Sequence, residues 1–205
     1  MFPGFDSFYW VEEPAATRAY RGSLRDDPPG IDYFRLARGT ASTERPIRVS
    51  HYGGKTPGDF IWTDYPAVCL ISARLKEALE SKALKGWCTY PVQLFSRTRE
   101  EMNGFFGLAI TGRCGMLDWQ RSLPVLKDYP GGMSTDYRGI CFPEDSWDGS
   151  DLFMPRETAW IFASERFGAL AKSLRVKNAK LRRLGTAEVS GLVVRHLRSN
   201  QGKAG

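Results

Sequence analysis

A gapless internal repeat limits the folds open to this chain more than any other feature of its 205 residues. Asp59-Phe60-Ile61, followed by Ala67-Val68-Cys69-Leu70-Ile71-Ser72-Ala73-Arg74-Leu75, recurs as Asp151-Leu152-Phe153, followed by Ala159-Trp160-Ile161-Phe162-Ala163-Ser164-Glu165-Arg166-Phe167. The offset is 92 at each landmark, since 151 − 59, 164 − 72 and 166 − 74 agree. Two copies are too few for a solenoid, which needs about three units to bury a continuous core. The expected architecture is one α+β domain over residues 1–190, in which two related strand-helix-strand units (59–95 and 151–189) pack about a pseudo-twofold axis with a mixed β-sheet. Residues 191–205 read as a basic tail, disordered in part.

Each copy follows one plan. An apolar run of strand length (67–71 or 159–163) gives way at Ser72 or Ser164 to helical spacing, with Leu75, Ala78 and Leu79 in the first copy and Phe167, Leu170 and Leu174 in the second. Serine suits a helix N-cap because its hydroxyl accepts from an orphan N–H of the first turn. The repeated Ser therefore has a structural role, and the repeated Arg is expected to pair with the repeated Asp. A second strand is expected at Tyr90–Phe95 and near Leu184–Val189, and another at Gly104–Ile110. Tyr33–Leu36 reads as a short strand and His51–Gly58 as a loop. Residues 127–150, rich in Gly, Asp, Tyr and Trp, form the longest stretch without periodicity, and long loops in compact domains are often functional.

Charge is distributed unevenly. Residues 166–205 carry ten Lys or Arg against Glu188 alone, a balance of +9, so residues 1–165 sum to −3 within the overall +6. A basic C-terminal region can bind nucleic acid, and Arg175, Lys177, Lys180, Arg182 and Arg183 would be its contacts; a solvated helix face explains the same residues. The four cysteines (Cys69, Cys88, Cys114, Cys141) include no Cys-x-x-Cys pair, which argues against a zinc ribbon or a redox dithiol and suits a reducing compartment. Met1–Asp6 has neither the basic nor the apolar region of a secretory signal. No run approaches the ~20 apolar residues of a membrane span. A cytoplasmic protein with no membrane partner is expected.

Catalytic patterns are weak. Gly54-Lys55-Thr56 resembles the end of a phosphate-binding loop, but the first Gly of that pattern would fall at Val49, and Pro57-Gly58 stands where a helix must start. His51 and His196 lie in no triad or metal motif. A duplicated fold could bring Asp59 and Asp151 together as a carboxylate pair, which leaves an uncharacterised enzyme as one alternative. The string Glu144-Asp145-Ser146-Trp147-Asp148-Gly149-Ser150-Asp151 sets four carboxylates around a Trp with spacing unlike a calcium loop. An aromatic anchor in an acidic loop suits a protein interface.

Taken in order, these segments resemble a known family. Asp59-Phe60-Ile61 leading to Ile71-Ser72-Ala73-Arg74-Leu75, then Phe105-Phe106-Gly107-Leu108 with Leu117-Asp118-Trp119-Gln120-Arg121-Ser122, then Asp151-Leu152-Phe153 leading to Ser164-Glu165-Arg166-Phe167, is similar to immunity protein family eleven of bacterial polymorphic toxin systems. The chain departs from the family's pattern at Ala73, where an acidic residue is more usual, and in its long basic C-terminus. The resemblance implies a non-enzymatic protein, without catalytic residues, cofactor or metal, that binds and neutralises a cognate protein toxin. Nucleic acid is not the expected partner, and a homo-oligomer is compatible with the reading. Asp59, Ser72, Arg74, Asp118, Ser122, Asp151, Ser164 and Arg166 are then structural landmarks. The expected partner-binding residues are Trp119, Tyr129, Tyr137, Glu144, Asp145, Trp147 and Asp148. The alternative functions are a nucleic-acid-binding or regulatory module and an enzyme.

Overall fold

The two apolar runs are buried on both sides, and that fixes the layering of the molecule. The computed structural model describes residues 5–15 and 18–201. The chain opens with β1 (Phe8–Glu12), β2 (Arg21–Ser23), α1 (Tyr33–Ala37) and β3 (Ile47–Gly53). The first repeat follows as β4 (Phe60–Trp62), β5 (Cys69–Ser72), α2 (Ala73–Ser81) and β6 (Trp87–Tyr90). Next come β7 (Val92–Phe95), β8 (Glu101–Met102), β9 (Phe105–Ile110), β10 (Gly112–Cys114), β11 (Leu123–Tyr129) and β12 (Gly132–Arg138). The second repeat is β13 (Leu152–Pro155), β14 (Ile161–Ser164), α3 (Glu165–Leu174) and β15 (Lys180–Arg183), and β16 (Glu188–Val189) and α4 (Gly191–Gln201) end the described chain.

Each repeat builds a sheet, and each sheet takes an antiparallel strand from outside its repeat, the second sheet adding β10 at its edge. The first is ordered β4-β5-β9-β6 and the second β10-β13-β14-β1-β15. The borrowed strands are equivalent by register: Ser72 lies opposite Phe105 in the first sheet, and Ser164 opposite Phe8 in the second. On their other edges Cys88 faces Ala109, while Lys180, 92 residues further on, faces Glu12. Sequence comparison of the repeats could not find β9 and β1, because one follows its copy in the chain and the other precedes it. Parallel pairs occur within otherwise antiparallel sheets, β10 with β13 in the second sheet and β3 with β7 in the sheet β2-β3-β7-β8, so the α+β domain has mixed sheets as expected.

Side chains alternate along these strands between different cores. Phe60, Trp62, Cys69, Ile71, Leu108 and Ile110 of the first sheet meet Val11, Leu152, Met154, Ile161 and Ala163 of the second in a central core that α2 and α3 complete with Leu75, Leu79, Phe167 and Leu170. The intervening residues face outward into two further cores. Ile61, Leu70 and Ala109 pack with Tyr20, Leu36, Ile47 and Val49, whereas Phe153 and Phe162 pack with Phe5, Phe8, Phe142, Leu184 and Val194. A strand covered on both faces shows a continuous apolar run instead of alternation, which is the form of 67–71 and 159–163. Gly107 meets a stricter demand: a Cβ there would lie 2.0 Å from the Tyr90 ring that crosses it from β6.

The repeated polar residues clasp the two copies to each other. Asp59 is buried, and its carboxylate accepts from Ser72 Oγ (2.9 Å), the Arg74 guanidinium and the backbone N–H of Lys177 (2.8 Å), which lies in the second copy. Asp151, also buried, accepts from Ser164 Oγ (2.8 Å), Arg166 Nη1 (2.9 Å) and the N–H of Lys85 (2.9 Å), in the first copy. Since 177 − 85 is again 92, the contacts are reciprocal, as a two-fold relation requires. Each arginine also reaches the carbonyl that ends the opposite helix region: Arg74 donates to Leu174 O and Arg166 to Lys82 O. Both serines occupy the N-cap, but only Ser72 accepts from its helix, from the Leu75 N–H at 3.2 Å, while Ser164 makes no side-chain cap bond.

Several local expectations are corrected. Tyr33–Ala37 is the helix α1, capped by Asp32 accepting from the Arg35 N–H, and His51 lies within β3. The strand expected over 90–95 divides at Pro91 into β6 and β7, which join different sheets. The strand expected at 184–189 is replaced by β15 and the short β16, with a single 3₁₀ turn between them. Residues 123–138, largely inside the supposed irregular stretch, form the hairpin β11–β12. The supposed tail contains α4, whose Val194 and Leu197 enter a core; residues 202–205 lie outside the described residues.

The clasps make unequal demands on their members. Asp59→Ala or Asp151→Ala strands a buried hydroxyl and amide beside an unpaired cation, and each should lower the unfolding free energy by about 3 kcal/mol in urea titrations. Arg74→Ala and Arg166→Ala remove half-exposed partners from carboxylates that keep their other donors, and each should cost about 1 kcal/mol. Burial pushes the Asp59 carboxyl up, but hydrogen bonds from Arg74, the Lys177 amide and Ser72, with the Arg74 charge, hold it below its ordinary value of 3.8. A carboxyl lowered in the folded state adds stability that is complete above its unfolded pKa. The stability advantage of the wild type over Asp59→Asn should therefore be full at neutral pH and shrink as pH falls below about 4.

Candidate protein-binding surface

The expected partner-binding residues divide into core and surface. Trp119 is only 3% exposed, and its indole packs edge-on against Trp160 at 6.3 Å and beside Tyr137. It sits in a single 3₁₀ turn capped by Asp118, which accepts from the Gln120 N–H at 3.1 Å, and closed by Ser122, whose Oγ donates to Gly139 O at 2.6 Å. Asp118 and Ser122 thus shape the turn that buries Trp119. Trp147 is half-buried: its ring meets Phe8 edge-on at 4.9 Å and Phe153 at 5.7 Å, and its Nε1 donates to Ser150 O. Trp119 is a packing residue, contrary to expectation, whereas Trp147 packs one side of its indole on Phe8 and Phe153 and keeps the rest half-exposed.

The acidic loop is also organised from within. Asp148 accepts from the Arg113 N–H (2.8 Å) and the Ser150 N–H (3.0 Å), tying the loop to β10. Glu144 and Asp145 stand exposed in a single 3₁₀ turn. Tyr129 is exposed at the end of β11, with its hydroxyl donating to Asp136, and Tyr137 is half-buried under Arg198 of α4. Of the residues expected at an interface, Tyr129, Glu144, Asp145 and Asp148 are exposed, and Asp148 also anchors the loop to β10.

A different set carries the exposed apolar surface. Leu126 and Met133 on the hairpin are 66% and 60% exposed, and Leu192 at the start of α4 is 67% exposed; Leu123, Tyr129 and Val193 join them. These six are two thirds of the nine large exposed hydrophobics among the described residues. Cross-strand partners share a face, and the register sets Leu126 opposite Thr135 and Met133 opposite Asp128. Leu126 and Met133 thus stand on one face, and Leu123 and Tyr129 on the other. The helix start is fixed nearby, since a Cβ on Gly191 would lie 2.0 Å from Thr135 O. β11 is an edge strand in the order β11-β12-β16, so its outer backbone groups are open to a further strand. The signal lay in Leu123-Pro124-Val125-Leu126 and Met133, apolar residues with no helical or strand partner of their own in the sequence.

Electrostatics hold this hairpin to the body. Glu188 of β16 accepts from Lys127 of β11 and from Arg138 of β12, and Lys127 also lies 3.6 Å from Asp136. The hydrogen bonds from Lys127 and Arg138 hold the Glu188 carboxyl below the ordinary range, and the bond to Glu188 raises Lys127. The bond to Asp136 raises the Tyr129 phenol. The apolar side chains are thereby presented on a braced hairpin.

Other candidate sites have lost their members to the scaffold. Asp59 and Asp151 are each held by an arginine in a clasp. Lys180 and Arg182 pair with Glu12, and Arg183 pairs with Glu165, which occupies much of the proposed nucleic-acid contact. Cys69, Cys114 and Cys141 are buried as free thiols and Cys88 is exposed. Among the described residues no group of three or more His, Cys, Asp or Glu could hold a metal ion, and no helix is long and apolar enough to cross a membrane.

The division between core and surface is testable by stability. Trp147→Ala opens a void beside Phe8 and Phe153 and should destabilise the protein by about 2–3 kcal/mol, below the range for a fully buried Trp. Leu126→Ser should change it by less than about 0.5 kcal/mol, as an exposed substitution does. Paired urea melts distinguish them, and equal costs would contradict the assignment. No protein-family model matches this chain, and no curated protein searched matches its sequence.

Proposed function

We propose that this chain is a non-enzymatic immunity protein that binds and neutralises a cognate bacterial toxin in the cytoplasm. The observation that carries the reading is the gathering of Leu123, Leu126, Tyr129, Met133, Leu192 and Val193 on the hairpin and the adjoining helix start. Exposed apolar side chains set beside charge mark a protein-binding face, and here Leu126 and Met133 share one face of the hairpin with the carboxylate of Asp128. An open edge strand adds main-chain hydrogen bonds as a second source of affinity. The ordered motif set from Asp59 to Phe167, with its likeness to the immunity family, supports the same role. The central toxin contacts are then Leu126 and Met133, which share one face of the hairpin, with Tyr129 on its other face and Glu144 and Asp145 as acidic surface residues outside it.

Co-expression with the toxin encoded by the adjacent open reading frame tests the proposal. The wild-type chain should restore growth and co-purify with the toxin. Leu126→Asp combined with Met133→Asp should abolish both while leaving the melting temperature within a few degrees of wild type. A wild-type chain that neither rescues growth nor forms a complex overturns the function; a double variant that does both as well as wild type overturns the surface.

A further inference from the structure

A second surface, remote in sequence from the hairpin, has the opposite character. Three adjoining concavities of about 530, 630 and 290 Å3 share His51 and Arg97 in their walls. Arg48 and Arg99 line one end, and Arg18 and Lys55 the other. None of these four residues, nor Arg97, forms an ion pair among the described residues, whereas Arg21 and Arg45 on neighbouring segments are paired with Glu13 and Asp27. Against five permanent positive charges the walls carry the carboxylates of Asp26 and Glu100, leaving +3 before His51 is counted. The first 165 residues sum to −3, so the local excess of +3 in these walls is opposite in sign to the net charge of the surrounding chain.

The walls are built to hold their shape. β3 and β7 pair in parallel, Arg48 beside Gln93, and the Arg48 guanidinium lies 4.7 Å above the Phe95 ring. The turn that follows β7 is tied by Ser96, whose Oγ accepts from the Thr98 and Glu100 N–H groups at 3.2 Å each, so that Arg97 and Arg99 project from one fixed turn. On the opposite wall the Lys55 N–H donates to Arg18 O at 3.0 Å. Gly54 allows this approach: its φ is +70°, and a Cβ there would sit 1.7 Å from Ala19 O. His51 donates from Nε2 to Gly54 O at 2.8 Å, since a carbonyl only accepts, and it meets the Tyr20 ring edge-on.

We propose that this groove binds a small polyphosphorylated ligand of nucleoside di- or triphosphate size. Guanidinium groups match phosphate oxygens with paired hydrogen bonds, and five cations around one cavity call for several negative charges within a few ångströms of each other. The cavities lie in the usual size range of small-ligand sites, about 300–1,000 Å3. Ser50, Ser96 and Thr56 offer hydroxyl donors, while Phe95 and His51 offer flat faces for the organic part of the ligand. Binding would not use a P-loop, because the loop at Gly54-Lys55-Thr56 is followed by no helix; Lys55 acts as one cation among several. The groove is distinct from the hairpin surface and does not depend on the toxin-binding reading.

Isothermal titration with ATP, tripolyphosphate and a single-stranded 12-nucleotide DNA tests the assignment at about 50 mM and about 300 mM salt. ATP and tripolyphosphate should bind at low salt, weaken at high salt and raise the melting temperature. Arg48→Ala with Arg97→Ala should weaken ATP binding at least about tenfold, a loss of about 1.4 kcal/mol. Arg156→Ala, outside the groove, should leave ATP binding unchanged, and both variants should melt near the wild-type temperature. Absence of ATP and tripolyphosphate binding at low salt overturns the proposal, as does a double variant that stays folded and binds ATP like wild type. DNA binding without ATP binding would overturn the small-ligand assignment in favour of a nucleic-acid groove.

Discussion

The carboxylate clasp is the constraint on which the rest of this structure depends. Asp59 and Asp151 are buried charges, and a buried carboxylate is tolerated only when its lone pairs are filled. Each fills them with a serine and an arginine of its own copy and a backbone amide of the other, Lys177 or Lys85. Neither copy can satisfy its aspartate alone. The same two strand starts also donate across the boundary, since the Asp59 and Phe60 N–H groups bond Lys177 O and the Asp151 and Leu152 N–H groups bond Lys85 O. Removing one copy would therefore orphan polar groups in the other as well as uncover the central core.

With the copies locked, the two sheets bury one face in common and need cover on the other. That need explains the remaining elements. β2, β3, β7 and α1 cover the outer face of the first sheet, bringing Ile47, Val49, Leu94 and Leu36 against Ile61 and Leu70. The phenylalanines at positions 5, 8 and 142, with α4, cover the second. Both functional proposals lie on these covering layers, one on the hairpin beside α4 and the other where β3 meets the turn after β7. The duplicated centre serves as the frame that holds them.

What could be read from the sequence follows from the range of each interaction. The repeat, its apolar strands, its helices and the Asp–Arg pairing were legible because each involves residues within about fifteen positions and appears twice. β9 and β1 were not legible as equivalents, since their likeness is one of register. Tyr33–Leu36 was read as a strand because its aromatic and β-prone residues outweigh one turn of helix, which Asp32 decides by capping. Trp119 and Trp147 were read as interface anchors because an indole in a polar loop looks exposed until Phe8, Phe153 and Trp160 arrive from elsewhere. The groove was hidden for the same reason: Arg18, Arg48, Lys55, Arg97 and Arg99 come from separate segments, and their charge vanishes in a sum over 165 residues.

Native-state amide hydrogen exchange at Lys85 and Lys177 probes the central claim most directly. Both N–H groups lie in short loops after helices, beside solvent, where exchange by local fraying is the usual behaviour. If the clasps lock the copies together, both amides should exchange only through global unfolding, with the same opening free energy as the central strands β5 and β14. Exchange of either amide several kcal/mol below that level, with β5 and β14 still protected, would contradict the account.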